Sequence, residues 1–276
     1  NHEGSQIPRT LLTAHPNLHV FHEPMTVGLA VAGVRVDVAG FPFSRAAARE
    51  IGTLVRATGA TGGAGATGDA IRAGVDADIR LLCIHQAVEG AQVGVANYTF
   101  RSGADVVPGH AVPQGFAAVL AGHIHRGQVL RRDLGGRPLA CPVVYPGSVE
   151  RTSFAEREET KGYATLTVIA GTQGTAPAAG AGGSVAAVRF HPLPARPMHV
   201  VDIDPRGMGP GEITHRLRSE LAALPADAVV RVRLSGPVAP DAWPAVAAAR
   251  VRSLAPPTMN VSVGHPTGLA PSGLGR

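Results

Sequence analysis

Two short apolar runs, each closing on histidine, constrain this chain more than any other feature. "DIRLLCIH" covers residues 78–85 and "FAAVLAGHIH" covers residues 116–125. Runs of this length and aliphatic content read as buried strands. The first ends on His85 and the second on His123 and His125, with Gly122 in front, where the backbone can be approached closely. Strand tips are where α/β folds hold their ligands. In extended backbone His123 and His125 project to one side while Ile124 packs on the other. Imidazoles at the end of a buried strand are costly unless something occupies their nitrogens. A divalent metal does so. One such histidine alone reads more readily as a satisfied structural residue, so it is the combination that points to a metal.

With 276 residues, the chain is long enough for one large domain or two smaller ones. No apolar run reaches the roughly 18 residues of a membrane span, and no signal-peptide pattern opens the chain. A soluble, cytoplasmic protein with no membrane partner is expected. Cys83 and Cys141 lie in apolar stretches without a framework of spaced pairs, which predicts two reduced, buried thiols. The net charge of +5 permits a polyanionic partner. Lys161 is the only lysine among 25 Lys and Arg residues. The arginine excess reads equally as coding bias and as phosphate recognition by a planar fork.

Residue patterns predict a short helix over "IPRTLLTAH" and strands over "LHVF", "TVGLAVAG" and "VRVDVAGFPF". They predict a helix over "SRAAAREIGTLVRA" capped by Ser44. "GQVLRRDLGGRPLACPVVYPGS" reads as a hairpin turning at Gly135 and Gly136. "GYATLTVIAG" and "VAAVRFHPL" are two further strands. Low-complexity Gly/Ala segments at 59–68 and 171–184 read as loops. Three prolines in "PLPARPMHVVDID" place a boundary near Ala195. Beyond it come a helix over "PGEITHRLRSELAAL", a strand over "AVVRVRLSG", a helix over "PDAWPAVAAARVRSL" and a loose tail. The expected class is therefore α/β, with a small α/β unit at the C-terminal end. No Walker A sequence, dinucleotide fingerprint or nucleophile elbow is present.

The motifs "NHE", "IHQAVEG" and "GHIHRG", in that order, resemble the later motifs of the calcineurin-like metallophosphoesterases. Those enzymes carry D-x-H, G-D-x-x-D, G-N-H-[ED], an isolated His and G-H-x-H in sequence. "HQAVEGAQVGVANYTFR", "VVYPGSVERTSFAEREETKGY" and "HPLPARPMHVVDI" narrow the resemblance to the DNA-repair exonuclease branch, the SbcD-type nuclease subunits. The likeness runs over most of residues 1–203. It implies a four-layer α/β/β/α sandwich over 1–194, a small capping domain over 195–265 and a tail over 266–276. The first two motifs would lie upstream of Asn1, so the chain is expected to open partway through its site.

The resemblance implies a site of two divalent metal ions, manganese being favoured. Asn1, His85 and His123 would ligate one ion and His125 the other, with bridging and further ligands from the upstream motifs. His2 would be the catalytic histidine, a general acid at the leaving oxygen. Two cations neutralise an anionic phosphodiester and activate its nucleophile near neutral pH. DNA is the implied substrate, double-strand-break repair the process, an SMC-like ATPase subunit the partner and a homodimer the nuclease core. Two other readings stand beside it: an enzyme for small phosphodiesters or nucleotides, or a non-catalytic nucleic-acid-binding fragment.

Several further residues are read two ways. In "GSVERTSFAEREETKG", Ser148, Arg151 and the earlier Arg126 either reach a DNA phosphate or belong to a surface where Glu and Arg pair with each other. Tyr98 and Phe100 either stack on a base or pack in the core. Arg231 and Arg233 form either a phosphate-contacting stripe or a plain exposed edge.

Overall fold

The computed structural model describes residues 18–57, 77–94, 96–171 and 182–264. They form a mixed α/β protein that divides into two compact units. The first comprises Asn1–Arg151 and Glu158–Leu193. The second comprises Thr152–Arg157 and Pro194–Arg276, so a short segment from mid-chain belongs with the C-terminal part.

The first unit opens with β1 (Met25–Val31) and β2 (Val34–Gly40), an antiparallel hairpin. Its two-residue turn has positive φ at both Ala32 (50°) and Gly33 (84°), the backbone twist that suits a tight hairpin. Next comes α1 (Ala47–Ala57). Ser44 lies just ahead of it and its Oγ accepts the Ala46 N–H at 3.0 Å, so the hydroxyl closes the entry turn rather than capping the helix directly. β3 (Ile79–Ile84) follows. Four two-residue strands come after it: β4 (Ala87–Val88), β5 (Gln92–Val93), β6 (Tyr98–Thr99) and β7 (Val106–Val107). The unit closes with β8 (Ala118–Ala121), β9 (Gln128–Arg132), β10 (Pro138–Tyr145), β11 (Gly162–Ile169) and β12 (Ser184–Pro192).

Six of these strands form one sheet in the order β1-β2-β3-β8-β10-β9. The central four, β2, β3, β8 and β10, run parallel, and β1 and β9 are antiparallel edges. The predicted turn between β9 and β10 is present: Gly136 adopts φ 80° and Asp133 accepts Arg137 N at 2.9 Å and Arg137 Nε at 2.8 Å. Parallel strands buried on both faces need continuous apolar sequence. Leu82, Ile84, Val119, Ala121, Val143 and Tyr145 supply it and are all buried in one core. β11 and β12 pair antiparallel as a separate ribbon.

The second unit has a three-stranded parallel sheet, β13 (Met198–Ile203), β14 (Val229–Leu234) and β15 (Asn260–Gly264), in that order. α2 (Pro210–Ala222) buries Ile213, Leu217 and Leu221, spaced one helical turn apart, against Val230, Val232 and Leu234. The strand "VVRVRL" thus alternates as its period-2 pattern requires.

Several sequence expectations are corrected. "LHVF" is not a strand. The single helix expected over residues 240–254 is a 3-10 turn followed by α3 (Trp243–Val246) and α4 (Ala248–Ser253). They separate at Ala247, whose ψ of 134° is extended. β15 was not foreseen, because its run of five residues is short and carries only two valines. β14 is the middle strand of its sheet, so Arg231 and Arg233 do not lie on an edge. Arg231 lies over the Phe154 ring, 4.2 Å from its centroid, and Arg233 pairs with Asp202. The helix expected over "IPRTLLTAH" and the loop expected at 59–68 lie outside the described residues, as do most of the second loop and the tail. Among the described residues no helix is long and apolar enough to cross a membrane.

Candidate metal centre

The carboxyl ends of the four parallel strands converge on one edge of the sheet. β3 and β8 are neighbours with Ile84 beside Ala121, so the next residues, His85 and Gly122, emerge side by side. Gly122 N–H donates to the Ile84 carbonyl at 2.9 Å and extends the ladder by one step. A Cβ on Gly122 would stand 2.8 Å from His85 Nδ1, so the absence of a side chain there leaves room for the imidazole.

The chain then turns. His123 has φ 78°, in the left-handed region that non-glycine residues rarely enter. Such backbone costs on the order of 1–3 kcal/mol and persists where the surroundings impose it, often at functional sites. The strand therefore ends at Ala121, and the expected extended course through His123 and His125 is not found. Ile124 is buried in the core, as expected.

The turn brings the His123 ring onto His85, with centroids 5.5 Å apart and planes at 69°. Phe43, from the segment after β2, also lies against His123, with centroids 5.8 Å apart. Two imidazoles bound at about 2.1 Å to one tetrahedral ion place their centroids roughly 5 Å apart. The 5.5 Å between the His85 and His123 centroids is of that size. Among the described residues no group of three His, Cys, Asp or Glu is arranged to hold a metal ion. His125 does not complete such a group with the pair, and Asn1 and His2 lie outside the described residues.

His125 is held through its backbone. Its carbonyl accepts from Lys161 Nζ at 2.9 Å and from Ser148 N–H at 3.2 Å. Lys161 Nζ also donates to Glu159 Oε2 at 2.9 Å, with the lysine side chain wholly buried. Glu159 reaches Arg126 as well, with Nε 3.4 Å from its other oxygen. Arg126 further donates from Nη1 to Asn97 Oδ1 at 2.6 Å and from Nη2 to the Gly94 carbonyl at 2.9 Å. Its guanidinium is thereby committed on all three nitrogens. Ser148 Oγ donates to the Glu150 carbonyl at 2.8 Å. Arg151 lies beside Glu150, its Nε 3.8 Å from Oε1 and its side chain only 9% exposed. Within this stretch Glu150 and Arg151 lie beside each other, while Glu156 accepts from Thr152 Oγ1 at 2.9 Å and Arg157 donates to the Phe154 carbonyl at 3.3 Å. Arg126, Ser148 and Arg151 are thus turned to protein partners, which lessens their capacity to meet a phosphate.

Other residues at this end of the sheet escaped the sequence reading. Gln86, fully buried beside His85, donates from Nε2 to the Ser44 carbonyl at 2.8 Å. The Tyr145 hydroxyl, at the end of β10, donates to the Gln86 carbonyl at 2.9 Å, and burial pushes its pKa upward. Neither residue has a local sequence signal beyond its place beside an apolar run. Lys161 had one, as the only lysine in the chain. Tyr98 is 62% exposed and meets Phe100 edge-on, whereas Phe100 packs against the core. Burial pushes the Cys83 thiol up to about 11 and the Cys141 thiol up to about 12. Both therefore stay protonated near neutral pH in the absence of a metal.

No protein-family model matches the sequence, and a search of curated proteins finds no match.

Proposed function

We propose that this chain belongs to a metal-dependent phosphodiesterase of the calcineurin-like kind that acts on DNA, in the manner of the SbcD-type nuclease subunits. The observation that carries this reading is the His85–His123 pair at the carboxyl ends of adjacent parallel strands. It is built with a glycine that a Cβ would spoil and a histidine held at φ 78°. The finer architecture belongs to the same proposal: the first unit as the core of a four-layer sandwich, the second as its capping domain.

In this reading His85 and His123 hold one ion together with Asn1, and His125 serves a second. Two divalent ions, manganese by preference, supply charge neutralisation of the phosphodiester and activation of its nucleophile. Gly122 keeps the His85 imidazole free to face its neighbour. His2 delivers a proton to the leaving oxygen as a general acid. A homodimer working with an SMC-like ATPase subunit in double-strand-break repair, in the cytoplasm, is the proposed setting.

The test uses the protein expressed from its whole coding sequence, supplied with manganese. It compares hydrolysis of a duplex DNA end with that of bis-nitrophenyl phosphate. Cleavage of the duplex end, abolished in a folded His123→Ala variant, supports the reading. Full activity in that variant refutes the ligand assignment. Preference for the small diester moves the protein to the small-substrate class. DNA binding without hydrolysis of either substrate leaves the non-catalytic reading.

A further inference from the structure

The one lysine of this chain, among 25 Lys and Arg residues, is buried to 0% side-chain exposure. Lysine is a compact ammonium with three rotatable donors, whereas arginine is a wide planar fork. The backbone near Lys161 is closely packed. At the neighbouring Gly162 a Cβ would collide with the His191 carbonyl. At Gly147, where φ is 82°, a Cβ would stand 3.0 Å from the same His125 oxygen that Lys161 binds.

Burying an ammonium–carboxylate pair returns little net stability, because desolvation offsets the attraction. What the pair supplies here is geometry. The His125 carbonyl receives two donors, Lys161 Nζ and Ser148 N–H. Glu159 links Lys161 to Arg126, and Arg126 is anchored to Asn97 and Gly94. The peptide joining His125 to Arg126 is therefore held at its oxygen and at the following side chain. Contacts of this kind orient ligands that they do not themselves form.

We infer that Lys161 is a positioning residue: its ammonium fixes the His125 peptide and so sets where the His125 imidazole stands. This rests on the proposed role of His125 as a metal ligand, and the experiment separates the two. Lys161→Met, Lys161→Arg and Glu159→Gln are made in the whole protein, with folding checked by circular dichroism. The first readout needs no metal. In protein labelled with nitrogen-15, Lys161→Met and Lys161→Arg should shift and broaden the His125 ring and Arg126 amide resonances. Unchanged resonances in both variants overturn the inference. If Lys161→Met fails to fold, Glu159→Gln carries the same readout through the other end of the network.

The second readout is manganese affinity by electron paramagnetic resonance. Lys161→Met should weaken binding by roughly 10–100-fold. His125→Ala should weaken it similarly, and the double variant should lose nothing more. Additive losses overturn the inference, because they would make the two residues independent. Retained affinity in Lys161→Arg overturns the requirement for a compact ammonium. Wild-type protein that binds no manganese sinks the phosphodiesterase reading, and the resonance readout alone then decides the role of Lys161.

Discussion

Gly122 stands so close to His85 that a Cβ on it would lie 2.8 Å from the imidazole Nδ1. Its own φ is not in the left-handed region, so the requirement for glycine is one of space alone. Gly122→Ala should therefore leave the fold intact, at a cost of about 1–3 kcal/mol, while pushing the His85 ring aside. With His85 as the proposed ligand, manganese affinity should fall by about tenfold or more. Thermal unfolding and a metal titration on the same variant check both parts. Unchanged affinity would show that the His85 ring position is immaterial.

His123 separates backbone strain from side-chain chemistry. Alanine at this position keeps the unfavourable φ and removes the imidazole, whereas glycine removes both. His123→Gly should therefore be more stable than His123→Ala by about 1 kcal/mol. With His123 as the proposed ligand, both should lose metal binding to the same degree. Denaturant titrations of the pair measure the difference. Equal stability would mean the turn imposes no strain.

Asp37 offers a pH-dependent check on the sheet. It sits on β2 beside Arg80 of β3. Its Oδ2 is buried with no hydrogen-bond partner among the described residues. Burial holds its carboxyl above the usual carboxylate range, against the opposing pull of Arg80 and Arg35. With the folded-state pKa raised, the folded protein binds this proton more readily than the unfolded chain. Stability from this group is then full below the unfolded value of about 3.9 and is lost as pH rises through the raised one. Asp37→Asn should therefore stabilise the protein at pH 7, by less than about 1 kcal/mol since the residue is only partly buried. The gain should vanish near pH 3.5. Melts at the two pH values decide it, and a destabilised variant at pH 7 would contradict the assignment.

The two units have separate cores, and the cysteines report on only one. Cys83 and Cys141 both lie in the first unit. Leu82 is buried in the first core and Leu217 in the second. Each Leu→Ala change should cost about 2–5 kcal/mol. Leu82→Ala should speed the reaction of the thiols with an aromatic disulfide, whereas Leu217→Ala should leave that rate unchanged. Equal acceleration by both would show that the units unfold together.

Much of the organisation was legible in the sequence because the signals are local. The β9–β10 turn at Gly135 and Gly136, the alternation of "VVRVRL" and the helical face of Ile213, Leu217 and Leu221 each depend on spacings of two to four residues. His85 and His123 stood out for a similar reason, as polar residues closing apolar runs. The break at Ala247 and the loss of the "LHVF" strand were not legible, since short segments are decided by their neighbours in space.

By itself, then, the sequence determined an α/β chain and singled out histidines that close apolar runs. Tertiary structure alone decided that β3 lies beside β8, so that His85 meets His123 across 38 residues of chain. It alone decided that His123 turns to φ 78° and that Lys161 reaches the carbonyl of His125, 36 residues away. The reason is that propensity and periodicity act within a turn or a strand. A strand pairing or a buried ammonium exists only when distant segments share one core, and no local pattern encodes which ones will.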